Sequence, residues 1–238
     1  MSILRGLGYP ALPVRGPLLQ DQLGYNTGYA QSGFDRASAN SLLDAAGWTR
    51  GKDGLRMKGG VPLRFKLSAQ DSTDYSKVAH ELHDQWRAIG VDVELVLQND
   101  TDFQETLAYH KYDALLYGIS VGVDPDVFAY WDSSQADSRS ANQLNYSGYQ
   151  SALADASLEA GRTRLDPNLR AIKYQPFQQA WQADAPAIGL YQPRFLYITR
   201  GPVYGLSEHT INADVQRFDN VQNWMIRQVR VSQASKGV

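Results

Sequence analysis

Two hydrophobic periods alternate along this chain, and their order predicts its fold class. Residues 55–58 and 63–67 alternate apolar with basic side chains, the period of a half-buried strand, around the turn formers Gly59, Gly60, Val61 and Pro62. A hairpin whose second strand enters the main sheet is expected. From about Thr73 to Ile89 the positions Val78, Leu82, Trp86 and Ile89 share one helical stripe that Gly90 ends. Residues 91–97 read as a strand and 102–109 as a helix, and the apolar run 112–119 reads as a strand buried on both faces. This order implies βαβ crossovers and a sheet with at least partly parallel pairing.

The flanks are less regular. Residues 6–33 carry Pro10, Pro13 and Pro17 without any period, which predicts an irregular strap pinned by Tyr9, Tyr25 and Tyr29. Asp35 is a good helix cap ahead of Ala37, Leu42, Leu43, Ala45 and Ala46, and Gly47 is a good terminator, so a short helix is expected over 36–46. Later helices are predicted near 149–160 and 167–184, followed by strands at 187–191 and 195–199. No internal repeat or low-complexity stretch is present.

Composition narrows the function classes. With 238 residues and 43% hydrophobic content, the chain has material for a buried core. Its 23 basic and 25 acidic residues leave a net charge of −2, which argues against nucleic acid or an anionic membrane as partner. The absence of cysteine excludes a disulfide scaffold, a thiolate zinc site and a cysteine nucleophile. The amino terminus lacks the apolar run of a signal peptide, and no window approaches the roughly 18 apolar residues of a membrane span. The unpatterned start and the small polar residues 232–238 predict a piece of a larger protein.

Several segments, in order, carry a resemblance. These are 34–48, ending in Ala46-Gly47-Trp48; Asp53-Gly54-Leu55-Arg56 with Gly60-Val61-Pro62-Leu63; 86–95; 112–118 with Asp124-Pro125-Asp126; and 185–191. Together they resemble the carboxy-terminal lobe of the extracytoplasmic solute-binding proteins of the peptide/nickel importer family, bacterial solute-binding protein family 5. The resemblance implies an α/β fold with a mixed, partly parallel sheet flanked by helices, one lobe of a two-lobed periplasmic-binding-protein-like (type II) architecture. Residues 1–33 are then a strap or hinge segment from the first lobe, 34–200 the ligand-binding lobe, and 201–238 a return towards the first lobe, from about Trp224, with a polar tail. It also implies a peptide or other small solute as ligand, permease and ATPase subunits of an ABC importer as partners through the full-length protein, a monomer, and an extracytoplasmic, lipid-anchored location.

The expected binding residues cluster on one loop. Tyr117, Gly118, Ile119, Ser120, Val121, Gly122 and Asp124 follow a buried strand at its carboxyl end, where α/β sheets present ligands, and their backbone can pair with an extended peptide. Asp124 and Asp126 are as readily read as turn formers. Tyr130 and Trp131 offer aromatic area but also suit a core. Asn142 lies in a polar cluster with Asn145, Tyr146 and Ser147, where Ser147 is expected to cap the next helix, and Tyr191 ends a short apolar strand. The family's pattern places a Trp and an ammonium-binding Asp at positions occupied here by Gly118 and Val121. A free peptide amino terminus therefore loses its usual anchor, and Val121→Asp is expected to restore affinity for such ligands.

No cofactor, metal or catalytic residue is assigned. His80 and His83 flank Glu81 but lack the zinc-protease spacing and a third ligand. His110 and His209 have no nucleophile nearby, and neither a Gly-x-Ser-x-Gly elbow nor a phosphate loop occurs. The expected function is solute capture for import, not enzymatic turnover. The alternatives are a peptide receptor or chaperone-like module uncoupled from transport, and a peptide or glycan hydrolase.

Overall fold

A computed structural model describes residues 2–137, 139, 143–206, 211 and 214–226. Helix α1 (Ser2–Gly6) leads to strand β1 (Ala11–Pro13), and a strap connects it to helix α2 (Arg36–Ala45). A small antiparallel sheet follows, formed by β2 (Thr49–Arg50), β3 (Arg56–Lys58) and β4 (Val61–Pro62). The central block is β5 (Arg64–Gln70), α3 (Thr73–Ala88), β6 (Asp92–Gln98), α4 (Asp100–Ala108) and β7 (Ala114–Leu116). Helices α5 (Phe128–Trp131), α6 (Ala152–Arg162), α7 (Pro167–Lys173) and α8 (Gln175–Asp184) come next, and β8 (Tyr191–Pro193) returns to pair with β1.

The α/β class is borne out. The central sheet has the order β6-β5-β7 with both pairings parallel, and the two small sheets and an isolated bridge between Tyr204 and Met225 are antiparallel. Its period-two strand β5 sits in the middle, and α3 covers it because the predicted stripe is real: Val78 is buried, while Leu82, Trp86 and Ile89 pack on the same sheet core. The caps are also as expected. Asp35 accepts from the amides of Ala37 and Ser38 at α2, Ser72 accepts from Tyr75 at α3, and Gly90 takes a left-handed φ of 90° after it.

Two cores result. The sheet core gathers Leu67, Ala69, Val78, Ala79, Val91, Val93 and Leu116, with Leu7 added from beside α1. The helical core gathers Ala154, Leu158, Tyr174, Phe177 and Trp181 with Leu18 from the strap. The strap is thus irregular in backbone but structural in effect, since its Leu18 is buried in the helical core. Arg56 is the other fastener. Its fully buried guanidinium donates to the carbonyls of Ile89 and Trp48 and to the side chains of Asp44 and Asn40, tying α2, β3 and the end of α3 together.

Four expectations need correction. The turn of the hairpin is only Gly59-Gly60, at φ 59° and 81°, so Met57 faces Pro62 and Lys58 faces Val61. Pro62 has no amide to extend that ladder, and β5 starts afterwards as a strand of the main sheet. In the run 112–119 only Ala114–Leu116 pairs, and Tyr117 already leaves the sheet. The helix expected over 167–184 is two helices joined at Tyr174, because Pro176 cannot donate a hydrogen bond to the carbonyl of Ile172. Of the strands expected at 187–191 and 195–199, only Tyr191–Pro193 forms, against β1, and 195–199 has no strand partner among the described residues. Among the described residues no helix is long and apolar enough to cross a membrane.

Candidate functional site

The loop from Tyr117 to Asp126 leaves the carboxyl end of β7 beside β5, whose last paired residue against β7 is Ala69. Parallel strands end together here, and the loop stands open: Tyr117, Gly118, Ile119, Ser120, Gly122, Val123 and Asp124 are exposed. A Cβ added at Gly118 would lie 2.6 Å from the Tyr75 hydroxyl, so the phenol from the first turn of α3 takes the space of a side chain at 118. A groove of about 400 Å3 beside α1 and α3 lies away from this loop.

Around the loop the fold assembles phenols that are far apart in sequence. Tyr117 meets Tyr146 edge to face at 5.2 Å and Phe103 at 6.1 Å. The Tyr130 hydroxyl donates to the Ser120 carbonyl at 2.9 Å, and Tyr112 donates to the Tyr146 carbonyl at 2.7 Å. Burial pushes the Tyr112 and Tyr146 hydroxyls up to about 12, helped by the neighbouring phenols. Burial, then Tyr117, also raises Tyr75 and Tyr130, while burial and Tyr9 raise Tyr191. These five hydroxyls are neutral donors and acceptors across the physiological range.

The loop's two carboxylates are engaged in ion pairs. Asp124 is gripped by both guanidinium nitrogens of Arg170, at 2.9 and 2.7 Å, which holds its carboxyl below the usual carboxylate range despite opposing burial. Asp126 pairs with Arg162 at 3.3 Å and accepts from the Phe128 amide. Gln22 of the strap, itself buried, donates to the Gly122 carbonyl at 2.7 Å and fixes the loop's far side.

The other expected residues divide. Tyr191 joins the phenols through Tyr9, whereas Trp131 packs edge to face on Trp181 in the helical core. Val121 is also core, only 9% exposed and packed with Val127 and Trp131, so a carboxylate there would be buried rather than offered to a ligand. Asn142 lies outside the described residues, as does His209. Asn145 is fully buried and bridges the carbonyls of Asp132 and Tyr149, and Ser147 bonds Asn145 instead of capping a helix, since Ser151 caps α6. His80 and His83 turn to local partners, Ser76 and Asp84. Sequence reasoning missed Tyr75, Tyr112 and Arg170, because no local period links α3, the segment leading into β7, and α7.

The family model for "Bacterial extracellular solute-binding proteins, family 5 Middle" matches residues 2–140. The chain belongs to this family. Among its relatives, Protein XP55 of Streptomyces lividans is 31% identical over 197 residues, covering 83% of this chain and 35% of that protein. NikZ of Campylobacter jejuni, solved in complex with Ni(L-His), superposes with a TM-score of 0.75 at 26% identity over 94% of this chain and 45% of its own. The oligopeptide-binding protein AppA of Bacillus subtilis, solved with a nonapeptide, gives 0.70 at 20% identity over 95% and 45%. The chain therefore spans about a third of that curated relative and less than half of either solved neighbour. The family-5 chain has the fold expected of one lobe of a type II periplasmic binding protein.

Proposed function

We propose that this chain supplies one side of a ligand cleft in an extracytoplasmic solute-binding protein that delivers peptide to an ABC importer, without catalytic turnover. The observation that carries the reading is the open loop 117–124 at the carboxyl end of the parallel sheet, ringed by half-buried neutral phenols. Opposed by the rest of the protein, such a face closes on a ligand by hinge motion, gaining affinity from burial and main-chain hydrogen bonds. The nonapeptide in AppA supports peptide as the solute class, and the family description supports an extracytoplasmic place. Permease and ATPase subunits are the partners in this reading, the protein acting as a monomer held by a lipid anchor. Native mass spectrometry of the full-length protein, purified gently, tests it. A co-purified peptide is the expected result; a protein that carries no ligand and takes up none from a peptide mixture contradicts it.

A further inference from the structure

Resting on the peptide reading, we infer that Tyr117 and Tyr146 form a subsite that selects an aromatic, uncharged side chain of the bound peptide. Three observations converge on this pair. Tyr117 is 39% exposed, and with Ile119 and Val123 it gives the loop an apolar outer surface. Its ring and that of Tyr146 already stand edge to face at 5.2 Å, with Phe103 at 6.1 Å from Tyr117 and His110 at 5.9 Å from Tyr146, so a ligand ring meeting the exposed side of Tyr117 extends an aromatic cluster that is already assembled. Tyr75, Tyr112, Tyr130 and Tyr146 feel burial, backbone groups and neighbouring phenols, Tyr117 and Tyr9 among them. The two loop aspartates are held by Arg170 and Arg162. Asp74 acts on the phenols only at Tyr191. Among the described residues no carboxylate, Lys or Arg acts on these four phenols, and the imidazole of His110 stands 5.9 Å from the Tyr146 ring. A charged side chain entering the corner would lose water for aromatic surroundings, whereas an aromatic one gains ring contacts at little entropic cost.

The test is calorimetric titration of the full-length protein with pentaalanine and with the same peptide carrying a single Phe, Glu or Lys at each position in turn. The expected result is one position at which Phe binds about tenfold tighter than Ala while Glu and Lys bind no tighter. Tyr117→Ala, checked for an unchanged melting temperature, should bring that preference within about twofold, and Tyr117→Phe should retain it because the ring carries the contact. A Phe preference that survives Tyr117→Ala and Tyr146→Ala, or a Glu or Lys preference that Tyr117→Ala abolishes, overturns the subsite while leaving peptide capture standing. Failure of every peptide to bind overturns the peptide reading itself, and the subsite with it.

Discussion

The central block and the stretch after Asp184 both carry apolar runs, but the block buries its own, whereas of the later stretch Ala187, Leu190 and Tyr191 pack on the cores and much of the rest stays exposed among the described residues. Leu67, Ala69, Val78 and Val93 lie in the sheet core, each flanked by a strand or helix that the same block supplies. Beyond Asp184, Ile188, Leu196, Ile198, Val215 and Ile226 remain exposed, and 195–199 finds no strand partner among the described residues. A hydrophobic period becomes an element only when a partner surface is present to receive it. We propose that the partner for the later stretch lies in the remainder of the longer protein, which fits a chain spanning less than half of its solved neighbours.

The largest effect should come from the block's polar fastener. Arg56→Ala leaves the carbonyls of Ile89 and Trp48 without their donor and empties a fully buried site, and should cost at least about 3 kcal/mol in a denaturant melt, while the exposed Asp44 returns to water. A loss under about 1 kcal/mol would mean that α2 and α3 hold together without it. Next, Val121→Asp should cost roughly 3 kcal/mol by burying a carboxylate in the helical core, and it should not raise affinity for free amino termini. A stable variant with stronger binding would put Val121 on the ligand face after all.

How much was legible follows the same division. The stripe on α3, the caps at Asp35 and Gly90 and the succession of strands and helices along the block could be read locally, because each signal lies within one element, whereas the placing of β5 between β6 and β7 could not. The loop at 117–124 was legible from its place after an apolar strand. The phenols around it were not, since Tyr75, Tyr112 and Tyr146 converge only through tertiary packing. Val121 looked available because sequence shows position but not direction, and Pro176 splits the helix expected over 167–184 although the residues on both sides of it are helical.

A smaller effect concerns pH. Arg170 lowers the Asp124 carboxyl, so the pair's contribution is complete above the ordinary value of 3.8 and is lost as pH falls through the lowered folded value. Asp124 is largely exposed, so Asp124→Asn should cost only about 0.5 kcal/mol at pH 7, with the difference from wild type vanishing in strong acid. A difference that grows on acidification would contradict that linkage. The smallest effect is expected at Ile198, which is 90% exposed: Ile198→Ala should change the stability of the 238-residue chain by less than about 0.5 kcal/mol. In the full-length protein the same substitution should cost more, and equal small effects in both would show that nothing covers this stretch.

The central claim is that this chain owns one side of a shared cleft. Its most direct test is the affinity of the co-purified ligand for the full-length protein and for the 238-residue chain, with circular dichroism establishing that the chain is folded. The account predicts binding to the chain at least about a hundredfold weaker, because half of the desolvating surface is missing. Equal affinity would contradict it and place the whole site on these residues.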